Sequence, residues 1–291
     1  MDEIIQKEDK ARLFAFIFGR EENKRWTLSL YNAINGTHYE NTDDVEITTM
    51  EDTIYMGMKN DVSFIINNDL NLYEHQSSYN PNMPVRQLMY LGRLYDKHIK
   101  KTNQNQYGSK TMSLPMPRLM TFYNGKSDKE DAILRLSDSF PKGCDLDESD
   151  VEVKVHMVNI RPQYNSRLLD ECKSLYEYSW FIEEIRKNKE TMDISVAVDK
   201  AINEMPDDFE IKSFLIGHKA EVTNMCLTEY NEAETMNMFK EEGREEGLEQ
   251  ARAEIVENML KKNKTIEEIV DFCNLPEDFV REVEKRMHVT V

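Results

Sequence analysis

Two apolar segments separated by a short polar turn constrain the fold of this chain more strongly than any other feature. The segments are DVSFII at residues 61–66 and LNLYEHQS at residues 70–77, and Asn67, Asn68 and Asp69 lie between them. Asparagine tolerates the positive φ angles that tight turns require, so this pattern predicts an antiparallel β-hairpin.

The register of this hairpin brings polar side chains together at one end. A two-residue loop sets a pairing in which Asp61 lies directly opposite Glu74, with Cβ atoms about 5 Å apart. Gln76 is two residues further along the same strand, and it therefore projects from the same face as Glu74. His75 projects from the opposite face, so we expect it to be packed or hydrogen-bonded there and not to join the carboxylates.

Two carboxylates that face each other directly destabilise a sheet, so the pattern predicts a divalent cation with oxygen ligands at this position. Mg²⁺ takes one or two carboxylates and keeps water and substrate phosphate in its other positions. Gln76 would offer its carbonyl to a water or its amide to a phosphate oxygen. This group is suited to phosphodiester hydrolysis, because the ion lowers the pKa of a bound water. The spacing leaves one alternative open, in which Asp61 and Glu74 are solvated residues at strand ends.

The charge distribution indicates which surface would meet an anionic substrate. The whole chain has a formal net charge of −18, which argues against a protein that coats nucleic acid. Between Pro84 and Lys126, however, the sequence contains eight Lys and Arg residues and a single acid, Asp96. This segment is a candidate phosphate-binding surface, although a solvated helix face explains the charges equally well. The residues that we expect to contact the phosphate groups of a substrate are Arg86, Arg93, Lys97 and Lys101.

The composition is that of an ordinary soluble protein. The chain has 291 residues, of which 40% are hydrophobic and 32% are charged, and this length suffices for one sizeable core with an appendage. No apolar run approaches the roughly 20 residues of a membrane span, and the first residues lack the pattern of a secretory signal. The four cysteines form no CxxC pair or zinc-type cluster, so we expect free thiols in a reducing cytoplasm.

The predicted elements alternate between helices and strands in the first half of the chain. We expect a helix over residues 8–35, interrupted near Gly19 and ended by Gly36, and one or two short strands within residues 45–58. After the hairpin, the amphipathic residues 84–101 predict a helix. The other expected elements are strands at 117–125 and 151–160 and helices at 127–140, 166–190, 194–204 and 209–220.

The C-terminal part of the chain differs in composition from the rest. From residue 229 onward it is highly charged, and it predicts a long helix containing Gly243 and Gly247, followed by a helix, a turn and a second helix. The small core expected for this helix-turn-helix-like end consists of Ile266, Ile269, Val270, Leu275, Phe279 and Val283. Because acids outnumber bases here, we expect it to dock a protein or to form a homodimer and not to read DNA. The predicted domains are therefore residues 1–228 and residues 229–291.

Four short motifs, DVSF, EHQSS, NMPVR and FYNG, together resemble the Rpn family of recombination-promoting nucleases, which belongs to the PD-(D/E)XK nuclease superfamily. The resemblance covers roughly residues 8–190. It implies an α/β fold with a restriction-endonuclease-like αβββαβ core, to which this chain adds helices and a helical C-terminal tail. It also implies a metal-dependent DNA endonuclease that promotes DNA recombination. We expect its sequence specificity to be low, because contacts of Arg86, Arg93, Lys97 and Lys101 with the DNA backbone carry no sequence information.

The same resemblance assigns roles to individual residues. Asp61 matches the first metal-binding aspartate of the superfamily, and Glu74 matches the acid of its (D/E)XK half-motif. Gln76 stands where the superfamily most often has lysine, and the Rpn family itself shows glutamine there. The superfamily often adds a glutamate from the first helix, for which Glu22 is our choice and Glu21 the neighbour. The implied cofactor is Mg²⁺, with Mn²⁺ or Ca²⁺ as alternatives, and the implied partner is DNA. An alternative function is a catalytically inactive member of the fold that acts as a protein-interaction or regulatory module through its C-terminal helices.

Overall fold

A mixed sheet forms the centre of the fold. The computed structural model describes residues 13–49 and 61–289 of the chain. Within these residues the sheet has six strands in the order β1-β2-β3-β4-β6-β5, namely β1 Glu46–Ile47, β2 Val62–Ile66, β3 Asp69–Gln76, β4 Met116–Tyr123, β5 Ala132–Arg135 and β6 Lys154–Asn159. Strands β3, β4 and β6 are mutually parallel, and the remaining pairs are antiparallel. The predicted α/β class is confirmed. The later part of the strand prediction at 45–58 lies outside the described residues.

The predicted hairpin is confirmed in both its turn and its register. Asn67 and Asn68 have φ angles of 49° and 65°, as a two-residue turn of type I′ requires. Ile66 pairs with Asp69, and the pairing continues without a bulge along the two strands. The sequence of the turn therefore determines which residues face each other at the opposite end of the hairpin.

Helices cover both faces of the sheet. In chain order, the α-helices of the described residues are α1 Leu13–Phe18, α2 Lys24–Asn35, α3 Met83–Lys101, α4 Ser166–Glu171, α5 Lys173–Lys189, α6 Ile194–Glu204, α7 Lys212–Gly217, α8 Lys219–Lys261, α9 Ile266–Cys273 and α10 Glu277–Val289, of which α9 and α10 belong to a separate unit described below. As predicted, α2 ends at Gly36, which has a φ angle of 63°. None of these helices in the described part of the chain is long and apolar enough to cross a membrane.

The first predicted helix is divided in two, because the chain turns after Gly19; the beginning of that prediction, residues 8–12, lies outside the described residues. The side chain of Asn23 donates a hydrogen bond of 3.3 Å to the carbonyl of Phe16, and the hydroxyl of Thr27 donates one of 2.6 Å to the carbonyl of Phe18. These bonds satisfy carbonyl groups at the end of α1 that have no partner within the helix. The polar side chains after Gly19 therefore end one helix and fix the next one against it.

Alternate residues of β3 face two separate apolar layers. On one face, Tyr73 packs in a cluster with Phe14 of α1 and Phe122 of β4, and this layer continues into α2 and α4–α8. On the other face, Leu72 packs in a second cluster with Tyr90 of α3. A strand that buries both of its faces lies in the interior of its sheet, which places the end of β3 between two helical layers.

The predicted helix at 127–140 is wrong. Residues 132–135 form β5, which pairs with β6, and a short 3-10 helix follows it at Leu136–Ser139. Leu134 is buried, whereas Ile133 on one side and Arg135 on the other are exposed. This alternation has the period of a strand and not that of a helix.

The other predictions for the second half of the chain hold with small changes of boundary. The strand expected at 151–160 is β6, and the helix expected at 166–190 is α4 and α5, which are separated at Cys172. The helix at 194–204 is α6. The helix expected at 209–220 is α7, and α8 begins shortly after it at Lys219.

The chain divides into two compact units, Met1–Tyr230 and Asn231–Val291. In the second unit, α9 begins with a capping box in which Thr265 and Glu268 bond each other's backbone N–H groups. The predicted small core is confirmed and is larger than expected. Its fully buried members are Val256, Ile269, Val280 and Val283, and the other predicted residues pack around them.

Candidate active site at the open end of the hairpin

The two predicted acids lie side by side at the end of the hairpin opposite its turn. Asp61 immediately precedes β2, and Glu74 lies within β3. The backbone N–H of Asp61 donates a hydrogen bond of 3.1 Å to Oε1 of Glu74. Asp61 is only 4% exposed to solvent, and Glu74 is only 1% exposed. The register that the turn imposes thus places the carboxylate of Glu74 against the backbone of Asp61, in a position where both residues are buried.

The carboxylate of Asp61 is held by the backbone of the neighbouring strand. Its Oδ2 atom accepts a hydrogen bond of 2.6 Å from the backbone N–H of His75. The His75 ring projects from the other face of the sheet, where it stacks on Phe14 and lies 3.2 Å from the hydroxyl of Tyr178. Burial raises the pKa of Tyr178 well above its usual value, so this hydroxyl stays protonated. The expectation that His75 is hydrogen-bonded on the opposite face is confirmed.

A cation from α3 approaches Glu74. The guanidinium of Arg86 lies 3.5 Å from Oε2 of Glu74 and donates a hydrogen bond of 3.1 Å to the hydroxyl of Tyr90. Burial raises the pKa of Tyr90, and the negative charge of Glu74 raises it further. Tyr90 is therefore a neutral hydroxyl beside the acids. Arg86 is in contact with Glu74, whereas the sequence predicts it only as a contact of the DNA backbone.

The side chain of Gln76 faces the first turn of α3. Its Nε2 donates to the sulfur of Met83 at 2.7 Å. Its Oε1 atom is buried and has no hydrogen-bond partner in the described residues. A buried acceptor without a donor costs about 1–3 kcal/mol, so this oxygen is poised to accept from a group that enters the site.

Gln87 of α3 carries a second such oxygen. Its Nε2 donates to the carbonyl of Met120 at 2.8 Å and to the hydroxyl of Thr121 at 3.2 Å. Because a carbonyl can only accept, the amide cannot be reversed, and Oε1 must point away from Met120. That atom also lacks a partner within the described part of the chain. Thr121 is the cross-strand neighbour of Glu74, so Gln87 belongs to the same layer as the acids.

The donor groups of this layer suit a hard divalent cation. Asp61 and Glu74 provide carboxylate oxygens, and Gln76 and Gln87 provide buried amide oxygens, which are the ligand and water-binding groups that Mg²⁺ prefers. The residues present therefore fit the predicted ion.

Glu22 does not join this group. It is exposed and forms an ion pair of 2.7 Å with Arg20. Among the residues that the structure describes, no three His, Cys, Asp or Glu side chains come together as a metal-binding group. The expected third carboxylate is therefore not brought to the pair within the described part of the chain.

Comparison with known proteins adds no further constraint. No protein family, no curated protein and no solved structure matches this chain. The role of these residues is therefore inferred from their positions and contacts in this structure.

The other three predicted DNA contacts lie along α3 on the side of Arg86. At about 100° per residue, positions 86, 93, 97 and 101 fall within roughly 80° of the helix circumference. Lys97 donates to the carbonyl of Thr48 at 3.3 Å, and Lys101 forms an ion pair of 2.7 Å with Glu46. Arg93 makes no ion pair or hydrogen bond within the described residues. This row of cations leads from the acids along the helix.

Sequence reasoning missed two polar members of the site, Gln87 and Tyr90. A signal for them was present in the helical spacing of α3, where Met83, Arg86, Gln87 and Tyr90 recur at intervals of three and four residues on one side. The prediction of an amphipathic helix at 84–101 gives no role to either residue. Only the position of α3 over β3 and β4 brings them to Glu74.

Proposed function

We propose that this chain is a metal-dependent DNA endonuclease with a restriction-endonuclease-like core. The observation that supports the proposal most directly is the buried contact between Asp61 and Glu74, whose backbone and carboxylate are 3.1 Å apart. The order of elements from α2 to β4, helix, three strands, helix and strand, agrees with the αβββαβ core. The resemblance to the Rpn family points to the same two acids.

In this proposal Asp61 and Glu74 hold Mg²⁺, or Mn²⁺ or Ca²⁺ through the same oxygen chemistry. When bound, the ion stabilises negative charge on the phosphate and lowers the pKa of a water. The chain itself supplies orientation: the N–H groups of His75 and Asp61 each fix one carboxylate oxygen. The free Oε1 atom of Gln76 accepts a hydrogen bond from the attacking water and holds it beside the acids.

The proposed substrate is bound through its backbone. Arg93, Lys97 and Lys101 lie on the side of α3 that begins at the acids, and phosphate contacts of this kind carry no sequence information. Cleavage should therefore be weakly specific, and it should weaken as the salt concentration rises.

Nicking of a supercoiled plasmid in the presence of Mg²⁺ or Mn²⁺ tests the proposal. Asp61→Asn and Glu74→Gln each remove one charge and keep the side-chain shape, and we expect each to lower the nicking rate about 100-fold or more. Asp69→Asn is the matched control, because Asp69 lies at the start of β3 and pairs with Arg118 at 3.3 Å, away from the acids. Equal nicking by wild type, Asp61→Asn and Glu74→Gln would overturn the proposed site.

A second candidate function is a protein-interaction module without catalysis. The observation that favours it is the separate helical core of the second unit, beside which Phe272 is 83% exposed. Thermal unfolding with and without metal separates the two functions. A ligand that binds only the folded state raises the unfolding temperature, so the endonuclease should show a metal-dependent rise that Glu74→Gln abolishes. No rise in wild type would favour the interaction module.

A further inference from the structure

Arg86 reaches Glu74 from a position that also faces solvent. Its side chain is 31% exposed, whereas that of Glu74 is 1% exposed. The hydrogen bonds of its guanidinium are one of 3.1 Å to the Tyr90 hydroxyl and a weak one of 3.7 Å to the sulfur of Met83, and it also lies 5.9 Å from the centre of the Tyr90 ring. Several of its five N–H donors are therefore not committed to strong acceptors.

The ion pair itself is a loose one. A single nitrogen of Arg86 approaches a single oxygen of Glu74 at 3.5 Å, without the two parallel hydrogen bonds that make a strong arginine–carboxylate pair. The other carboxylate oxygen of Glu74 already accepts from the backbone of Asp61 at 3.1 Å. Oε2 is therefore the oxygen for which Arg86 and an incoming cation compete.

We propose that Arg86 is an exchangeable counter-ion, which neutralises Glu74 when no divalent cation is held there and binds a substrate phosphate when one is. Two cations sharing one carboxylate oxygen repel each other strongly in a buried site, so metal binding displaces the guanidinium. The planar fork of arginine matches a phosphate group, and Arg86 begins the row of cations that continues with Arg93 and Lys97. This inference rests on the proposed function and adds to it a coupling between metal and DNA.

The proposal makes two predictions of opposite sign for one substitution. Arg86→Gln removes the competitor for Glu74, so Ca²⁺ or Mg²⁺ should bind about tenfold more tightly than to wild type, within the usual range of such coupling factors. The same variant loses a phosphate contact, so its affinity for a duplex in the presence of Ca²⁺ should fall about tenfold. Because coupling is reciprocal, saturating Ca²⁺ should raise the DNA affinity of wild type more than that of the variant.

Isothermal titration with Ca²⁺ alone and fluorescence anisotropy of a labelled duplex of about 20 base pairs measure both quantities on the full chain. Arg93→Gln is the matched control: it removes a cation from the same helix that has no partner within the described residues. It should weaken DNA binding without changing the affinity for Ca²⁺. If Arg86→Gln does not fold, Arg86→Lys serves in its place, because the shorter side chain loosens the contact with Glu74, and it should shift both affinities in the same directions.

The outcomes distinguish this proposal from the function on which it rests. If wild type binds Ca²⁺ and the Arg86 variant binds it equally or more weakly, the counter-ion role is overturned and the endonuclease stands. If wild type and both Arg86 variants bind no metal, both ideas fall. Tighter metal binding together with weaker DNA binding by the variant supports the exchange.

Discussion

The hydroxyl of Tyr178 lies 3.2 Å from Nε2 of His75, on the face of the sheet opposite to the two acids. The backbone N–H of the same histidine holds Asp61 on the other side. The packing of α5 against the sheet therefore helps to set the position of a carboxylate in the candidate active site.

Tyr178→Phe tests this connection, because it removes the hydroxyl and keeps the ring in its packed position. We expect the free energy of unfolding to fall by about 1 kcal/mol, as for one buried hydrogen bond, and the rate of plasmid nicking to fall with it. Urea denaturation and the nicking assay measure the two effects. Tyr176→Phe is the control, since Tyr176 lies on the same helix and is 38% exposed. A similar loss of activity in the control would remove the special role of Tyr178.

Gly125 should tolerate no side chain. A Cβ atom at this position would collide with the ring of Tyr123, whose hydroxyl is anchored on the carbonyl of Ser127 at 3.1 Å. Gly125→Ala should therefore lower the free energy of unfolding by about 1–3 kcal/mol, the usual cost of overpacking.

Gly92 offers the opposite case, because a methyl group added there, within α3, would have nothing within 4 Å of it. Gly92→Ala should raise stability by about 0.5–1 kcal/mol, and equal effects at both glycines would contradict this account.

The turn of the hairpin provides a third prediction. Asn68 has a φ angle of 65°, a conformation that costs most residues other than glycine and asparagine about 1–2 kcal/mol. Asn68→Ala should therefore destabilise the protein by about 1 kcal/mol, whereas Asn68→Gly should be close to neutral. Chemical denaturation of the two variants beside wild type measures the difference. Equal stability of the alanine and glycine variants would show that the turn does not impose its conformation on residue 68.

The cysteines should differ in their reactivity toward a thiol reagent. Burial raises the pKa of Cys172 and of Cys226, so near pH 8 they have even less thiolate than an ordinary cysteine, and only the thiolate reacts. Cys144 is exposed and should react first. Absorbance after addition of Ellman's reagent should show a fast phase that Cys144→Ser reduces and a slower reaction of the half-buried Cys273, and all four thiols should react in urea. Fast reaction of Cys172 or Cys226 in the folded protein would contradict the structure.

The parts of the fold that the sequence predicts are those set by short-range signals. The positive φ angles of Asn67 and Asn68 fix the turn, the turn fixes the register, and the register places Asp61 beside Glu74. Strand β5 could not be found in this way, because four residues with partial alternation gain their conformation from β6, which lies about twenty positions further along the chain.

The remaining site residues depend on long-range geometry. Gln87 and Tyr90 meet the acids only because α3 crosses between the parallel strands β3 and β4 and packs back onto the sheet. The choice of Glu22 depended on the direction of a loop that local pattern does not specify. In the structure the side chain of Glu22 forms an ion pair with Arg20 of the same loop instead.

The hairpin that carries both acids is a local structure, and it can form early during folding. Asp61 and Glu74 are 13 positions apart in the chain, and a hairpin of this kind closes in about 1–10 μs. The two acids can thus meet early in folding, before α3 brings Arg86 to them. A divalent cation of the kind proposed above would offset the repulsion between the two acids at that stage, so we expect Mg²⁺ to accelerate refolding of wild type and not of Glu74→Gln.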